Sequence, residues 1–260
     1  MVKFGNTKRI IILIFLMLFL SLNLFVLFNQ TKMRHEIHYG SYYDLVADSQ
    51  LETLSVDDDV GESNENILVS LRSSYGNDDI IGKLVIDGTN IDEPILQYAN
   101  NSYYLYHDVY KNNSVYGSTY LDYRNKLDDK KILIFGHSAM NKDVPFNELE
   151  KYYDKSFYDY HKYIDIVSDN GKMRYLIFSV FVETMDFTYM NLNISDDTYN
   201  SYLAKYKNKS MYDTGVDVSN GDEILILQTC SNSPVYKQYK KKYLLVIAKK
   251  INKEEWKWER

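Results

Sequence analysis

Asp222-Glu223-Ile224-Leu225-Ile226-Leu227-Gln228-Thr229-Cys230 is an apolar run that ends on the only cysteine of the chain. A short unbroken stretch of branched apolar residues reads as a buried strand. The polar Ser231-Asn232-Ser233-Pro234 that follows marks its exit into a loop. The cysteine is thus set at a strand mouth, not inside a core. With no second thiol available it cannot close an internal disulfide, so it is either a small packing residue or a reactive thiol.

Outward from this strand the pattern is one of short strands separated by turn residues. Ile81–Ile86 ends at the Asp87-Gly88 turn signal, and Ile91–Tyr98 follows, with Pro94 suited to an edge or a strand start. Val115–Tyr123 and Lys131–Gly136 continue the series, and Tyr163–Val167, Asp169-Asn170-Gly171 and Met173–Glu183 read as a hairpin. Glu223–Cys230 and Tyr243–Ile251 close it. Helices are expected over Phe146–Tyr160, with Asn147 or Asp143 as caps, and from a Ser195-Asp196-Asp197 cap to about Lys207. Many short strands with a few inserted helices imply a mainly β fold, a closed and mostly antiparallel barrel.

The chain has 260 residues, a net charge of −6, 26 tyrosines and 3 prolines. An acidic balance without a basic face argues against nucleic acid as a partner. No CxxC or HExxH is present, so neither a metal nor another cofactor is expected. Asp57-Asp58-Asp59 reads as a solvated linker.

Lys3, Lys8 and Arg9 precede an apolar run from Ile10 to Phe28, broken only by Ser21 and Asn23. At about 1.5 Å rise per residue the run nearly spans a hydrocarbon core of about 30 Å. No small-x-small cleavage site follows, so an uncleaved signal-anchor is expected, with the N-terminus inside and residues 30–260 outside the cell membrane. The expected organisation is therefore a cytoplasmic tail and anchor over 1–29, a helical segment and linker over 30–75, and the barrel domain that carries Cys230 over 76–260. Within the second part, Arg34 to Leu54 suggests an irregular amphipathic helix, Ser55–Asn66 a linker, and Ile67–Leu71 a second short helix. Extracellular proteins usually pair their cysteines, so a solitary one there is informative.

A free thiol, with a pKa of about 8.5, needs a partner to act near neutrality, and histidine is the usual one. Of His35, His38, His107, His137 and His161, the first two fall in the membrane-proximal segment and His161 follows a helix. His137 ends the apolar strand Ile132-Leu133-Ile134-Phe135-Gly136, the same strand-mouth placement as Cys230. His107, in Tyr106-His107-Asp108, reads as a structural histidine near a turn.

At these residues the chain resembles the class B sortases, membrane-anchored cysteine transpeptidases of Gram-positive bacteria. Their Thr-Leu-x-Thr-Cys motif stands here as Ile226-Leu227-Gln228-Thr229-Cys230, with isoleucine in first place, and Gly136-His137 matches the family histidine. Ile81–Leu84, Asn101–Asp108, Gly117–Asn125 and Tyr212–Val216 extend the resemblance, which covers roughly residues 66–252. It implies an eight-stranded sortase-type barrel with an N-terminal helical segment. It also implies that Cys230 attacks a C-terminal sorting signal of the Asn-Pro-x-Thr type, or a variant, on secreted proteins. His137 would serve the leaving and incoming amines, and an amino group of peptidoglycan or its lipid-linked precursor would resolve the thioacyl intermediate. By motif position Asn101, Leu105, Tyr189 and Met190 correspond to groove residues, and Gln228 and Ser231 flank the cysteine. The family arginine before the last strand is missing. Lys242 takes its position, with Lys240, Lys241 or Arg124 as alternatives, and lysine keeps the charge but lacks the planar fork. An extracellular cysteine endopeptidase using the same pair, and a tethered binding domain with an inert thiol, are the other classes these residues allow.

Overall fold

A computed structural model describes residues 60–139, 144–192 and 194–255. The expected anchor, the helix over 34–54, the acidic Asp57-Asp58-Asp59, His35, His38 and the possible cap Asp143 lie outside the described residues. Among the described residues no helix is long and apolar enough to cross a membrane.

Eight strands close into one barrel: β1 (Ile80–Val85), β2 (Asp92–Leu96), β3 (Tyr120–Leu121), β4 (Lys131–Phe135), β5 (Tyr163–Ser168), β6 (Gly171–Glu183), β7 (Ile224–Cys230) and β8 (Tyr243–Ile251). Their order around the wall is β1-β2-β3-β4-β7-β8-β6-β5, with β1 pairing β5 to complete the circle. The β2–β3 and β4–β7 pairs are parallel and the others antiparallel, so the barrel is mixed but mostly antiparallel. Pro94 sits inside β2 opposite Lys83 of β1. On its other side β3 reaches only Leu96, so the missing proline N–H leaves no gap in a ladder. The 170–171 turn joins β5 to β6, with Gly171 at φ 111° supplying the backbone conformation that a side chain would oppose.

Because successive strand residues face opposite sides, every strand but β5 feeds two apolar layers. One layer receives residues from all eight strands, among them Leu84, Ile95, Leu121, Ile134, Ile164, Ile177, Leu227 and Val246, and is the barrel lumen. Phe146, Leu149 and Tyr152 plug it from a 3₁₀ helix over Pro145–Tyr153. The other layer, with Ile80, Leu133, Phe135, Ile226, Leu245 and Ile247, lies on the outer wall. It is covered by Leu68 of α1 (Val60–Tyr75) and by Tyr199, Leu203 and Tyr206 of α3 (Asp196–Lys209). Burying each such aliphatic side chain contributes about 1.5–3 kcal/mol. α1 is further tied to the barrel by Arg72, which forks onto Asp169 and donates to the Ile80 carbonyl at 2.8 Å.

Several elements depart from the sequence reading. α1 begins at Val60, inside the stretch expected as linker. The single helix expected over Phe146–Tyr160 is broken at Asp154, whose extended backbone ends the 3₁₀ segment. The Asp154 carboxylate accepts from the Ser156 N–H at 2.9 Å and so caps α2 (Lys155–Tyr160). The N-cap position of the 3₁₀ segment is Val144, not Asn147, whose amide exchanges hydrogen bonds with the Ala139 backbone at 2.9 and 3.1 Å. The strand expected over Val115–Tyr123 shrinks to Tyr120–Leu121. Its first half is a turn in which the Ser114 and Ser118 N–H groups donate to the Tyr106 and Tyr104 carbonyls. The Ser195 cap is as expected, accepting from Thr198 N–H, and the helix runs to Lys209.

Candidate active site

The parallel register of β4 and β7 brings the two candidate chemical groups together. Phe135 stands opposite Gln228, and the Gly136 N–H donates to the Gln228 carbonyl at 3.1 Å, carrying the ladder one step past the strand. Counting on, His137 falls level with Cys230, and both share the outer face with Phe135 and Gln228. The glycine before the histidine has a packing reason. A Cβ on Gly136 would lie 2.3 Å from Cγ of Phe146, so only glycine lets the plug ring close against the strand that aims His137.

His137 is half-buried, and its Nε2 lies 2.8 Å from the Leu105 carbonyl oxygen. A carbonyl can only accept, so Nε2 carries the proton and the lone pair of the neutral ring is on Nδ1. Cys230 is exposed at the barrel mouth, yet the surrounding protein desolvates its thiol and pushes its pKa up from the ordinary value. At neutral pH the resting cysteine is therefore a thiol whose proton must be removed.

The wall beside Cys230 is built of tyrosines. Tyr189 is buried and donates its hydroxyl to Gln228 Oε1 at 2.7 Å. Tyr120 stacks on Phe135 with ring centroids 5.1 Å apart. Tyr243 of β8 lies directly across the antiparallel register from Cys230. Burial, followed by the negative charge of a nearby Cys230 thiolate, raises the Tyr243 phenol above its ordinary value. Tyr120 and Tyr243 escaped the sequence reading because their nearness to Cys230 is a matter of register, which no local motif carries.

The remaining expected site residues divide. Leu105 meets His137 through its carbonyl, and Tyr189 and Gln228 meet each other beside Cys230. Asn101 turns inward to structure, donating to the buried Asp122 carboxylate at 3.0 Å and accepting from Tyr123 N–H at 2.9 Å. Burial alone would raise the Asp122 pKa, but the Arg124 fork and Asn101 together hold it below the usual carboxylate range. Arg124 is engaged in that fork, at 2.7 and 2.8 Å, and with the Met190 carbonyl. Ser231 is buried on the lumen side, its hydroxyl 2.7 Å from that of Tyr153. Its N–H donates to the Lys242 carbonyl at 3.0 Å, which sets Lys242 opposite Ser231 and on the other pleat from Cys230. Lys241, one residue back, has its ammonium 5.8 Å from the Phe187 ring centroid.

Neighbouring loops are tied to the mouth. Asn232 donates through its amide to Ser138, next to His137, and through its backbone N–H to Glu150 of the plug at 2.7 Å. His107 stacks on Tyr103 at 4.1 Å, with Nδ1 2.7 Å from the Tyr103 carbonyl, a structural role. His161 packs against Phe157 at the end of α2. Among the described residues no three His, Cys, Asp or Glu side chains converge as a metal site. A cavity of about 580 Å³ lies at the far, N-terminal end of β4. Two of the cations lining it are paired, Arg124 with Asp122 and Lys130 with Asp196.

A sortase-domain family model matches residues 84–251. Sortase B of Listeria monocytogenes is 32% identical over 231 residues, covering 87% of this chain and 92% of that protein. The chain belongs to the class B sortases. It is accordingly a cysteine transpeptidase on an eight-stranded sortase barrel. Among solved structures this sortase is similar to Clostridium perfringens sortase B, with TM-score 0.63 and 30% identity over 71% of this chain and 99% of that one. A Staphylococcus aureus sortase B–substrate complex gives TM-score 0.63 and 28% identity over 74% of this chain and 93% of that one.

Proposed function

We propose that this sortase cleaves a sorting signal of the Asn-Pro-x-Thr type, or a variant, near the C-terminus of secreted proteins. The freed acyl group passes through a Cys230 thioester to an amino group of peptidoglycan or its lipid-linked precursor. Nδ1 of His137 takes the Cys230 proton as sulfur attacks the scissile carbonyl. The carbonyl electrons move onto oxygen, the tetrahedral adduct collapses, and the same proton leaves on the departing amine. The incoming amine then reverses these steps, expelling the thiol. Lys240, Lys241 and Lys242 place positive charge around the mouth, which favours the transient anion at longer range. The proposed setting is the outer face of the cell membrane, with residues 10–28 as anchor.

The observation that carries this reading is the β4–β7 register, which sets Gly136-His137 and Thr229-Cys230 at one level of one wall. Two structural relatives add support: one is a Staphylococcus aureus sortase B–substrate complex and another a sortase B complexed with triglycine. The test is product partition. Incubated with a fluorescent Asn-Pro-x-Thr peptide and increasing triglycine, the protein should shift from cleaved to ligated product. Cleavage whose products ignore the amine would favour an endopeptidase.

A further inference from the structure

We infer that the Tyr243 hydroxyl is the direct hydrogen-bond donor to the oxyanion formed at Cys230, in the place where the chain lacks a guanidinium. The inference rests on the reading of Cys230 as nucleophile. Its first ground is register. Cys230 and Tyr243 are directly opposed in the antiparallel β7–β8 pair. Directly opposed residues point to the same face, with Cβ atoms about 4.5–5.5 Å apart. On that face lie Cys230 and, from β4, His137. Lys242, one residue earlier, belongs to the other pleat with Ser231, whose side chain is directed at Tyr153.

The second ground is that Tyr243 is held in place with its hydroxyl uncommitted. Its ring packs edge-on against Phe187 at 5.8 Å, and Phe187 packs in turn against Tyr189 at 6.4 Å. Tyr189 uses its hydroxyl on Gln228, and Tyr153 pairs its own with Ser231. The Tyr243 hydroxyl has no hydrogen-bond partner among the described residues, although the side chain is half-buried. Burial raises its pKa, so the phenol keeps its proton and remains a donor across the neutral range. A fixed, protonated hydroxyl beside the reacting sulfur suits charge that develops only in the transition state. The alternatives are less suited. Arg124 is committed to Asp122, and the Lys241 ammonium sits over Phe187. In the reaction the hydroxyl proton stays on oxygen. Sulfur bonds to the carbonyl carbon, the π pair moves to the carbonyl oxygen facing Tyr243, and it returns as the C–N bond breaks.

The test is Tyr243→Phe, which removes one oxygen and keeps the ring packing. Single-turnover acylation by the signal peptide should slow on the order of 10²-fold, the usual effect of losing one oxyanion donor. Alkylation of Cys230 by iodoacetamide, which forms no oxyanion, should keep its rate, and the melting temperature should hold. Lys241→Met and Lys242→Met should each cost less than Tyr243→Phe, and their loss should shrink in high salt. Equal acylation by wild type and Tyr243→Phe would overturn the inference while leaving the transpeptidase reading intact. So would an equal fall in alkylation, or a larger loss in Lys241→Met. A wild type that forms no thioacyl adduct would overturn both.

Discussion

The two faces of the barrel wall at its mouth carry almost the same stretches of chain but do different work. On the outer pleat stand Cys230, His137 and Tyr243, at the strand ends and partly open to solvent. On the lumen pleat, one residue away in each strand, stand Ser231, Gly136 and Lys242. There Ser231 meets Tyr153, and the bare face of Gly136 admits the Phe146 ring. The lesson is that the chemistry occupies every second residue, with the residues between bracing it against the 3₁₀ plug. A slip of one residue in register would exchange the two roles.

The contrast can be broken most severely from the outer side. His137→Gln keeps a side chain that can donate to the Leu105 carbonyl but cannot move a proton at neutral pH. Acylation by the signal peptide should fall about 10²–10⁴-fold, the usual range for a general acid–base, with little change in melting temperature. A fall under tenfold, measured by stopped-flow release of the leaving fragment, would mean that His137 is a bracing residue like its lumen-side neighbours.

The lumen side should answer in stability before it answers in rate. Gly136→Ala drives a Cβ into the Phe146 ring, and overpacking of this kind costs about 1–3 kcal/mol. Denaturant unfolding should show that loss, with a smaller drop in acylation as His137 shifts. Replacing Phe146 by Leu in the same chain should restore part of the stability. An unchanged unfolding midpoint for Gly136→Ala would contradict the packing account.

Much of this contrast could be read in the sequence, and the unread part has a physical cause. Strand mouths are local: apolar runs that stop at Thr229-Cys230 and Gly136-His137 announce themselves, as do the 170–171 turn and the Ser195 cap. The strand pattern itself points to a closed barrel and the two strand mouths to Cys230 and His137; the family resemblance adds the count of eight strands and the residue roles, and the family match stands. What the sequence hid was register. Whether Lys242 or Tyr243 shares a face with Cys230 depends on the partner that each residue meets across β7 and β8. The Asn101 contact was hidden differently, because no local motif shows that its amide meets the buried Asp122 carboxylate. The break at Asp154 was missed because an aspartate within a helical pattern reads as surface until its cap bond to Ser156 is seen.

The most direct test is intact-mass spectrometry of the protein mixed with an Asn-Pro-x-Thr peptide and no added amine. A mass gain equal to the N-terminal acyl fragment, reversed by hydroxylamine and absent in Cys230→Ala, is the predicted result. A hydroxylamine-resistant adduct, or unchanged peptide turnover in Cys230→Ala, would contradict the account.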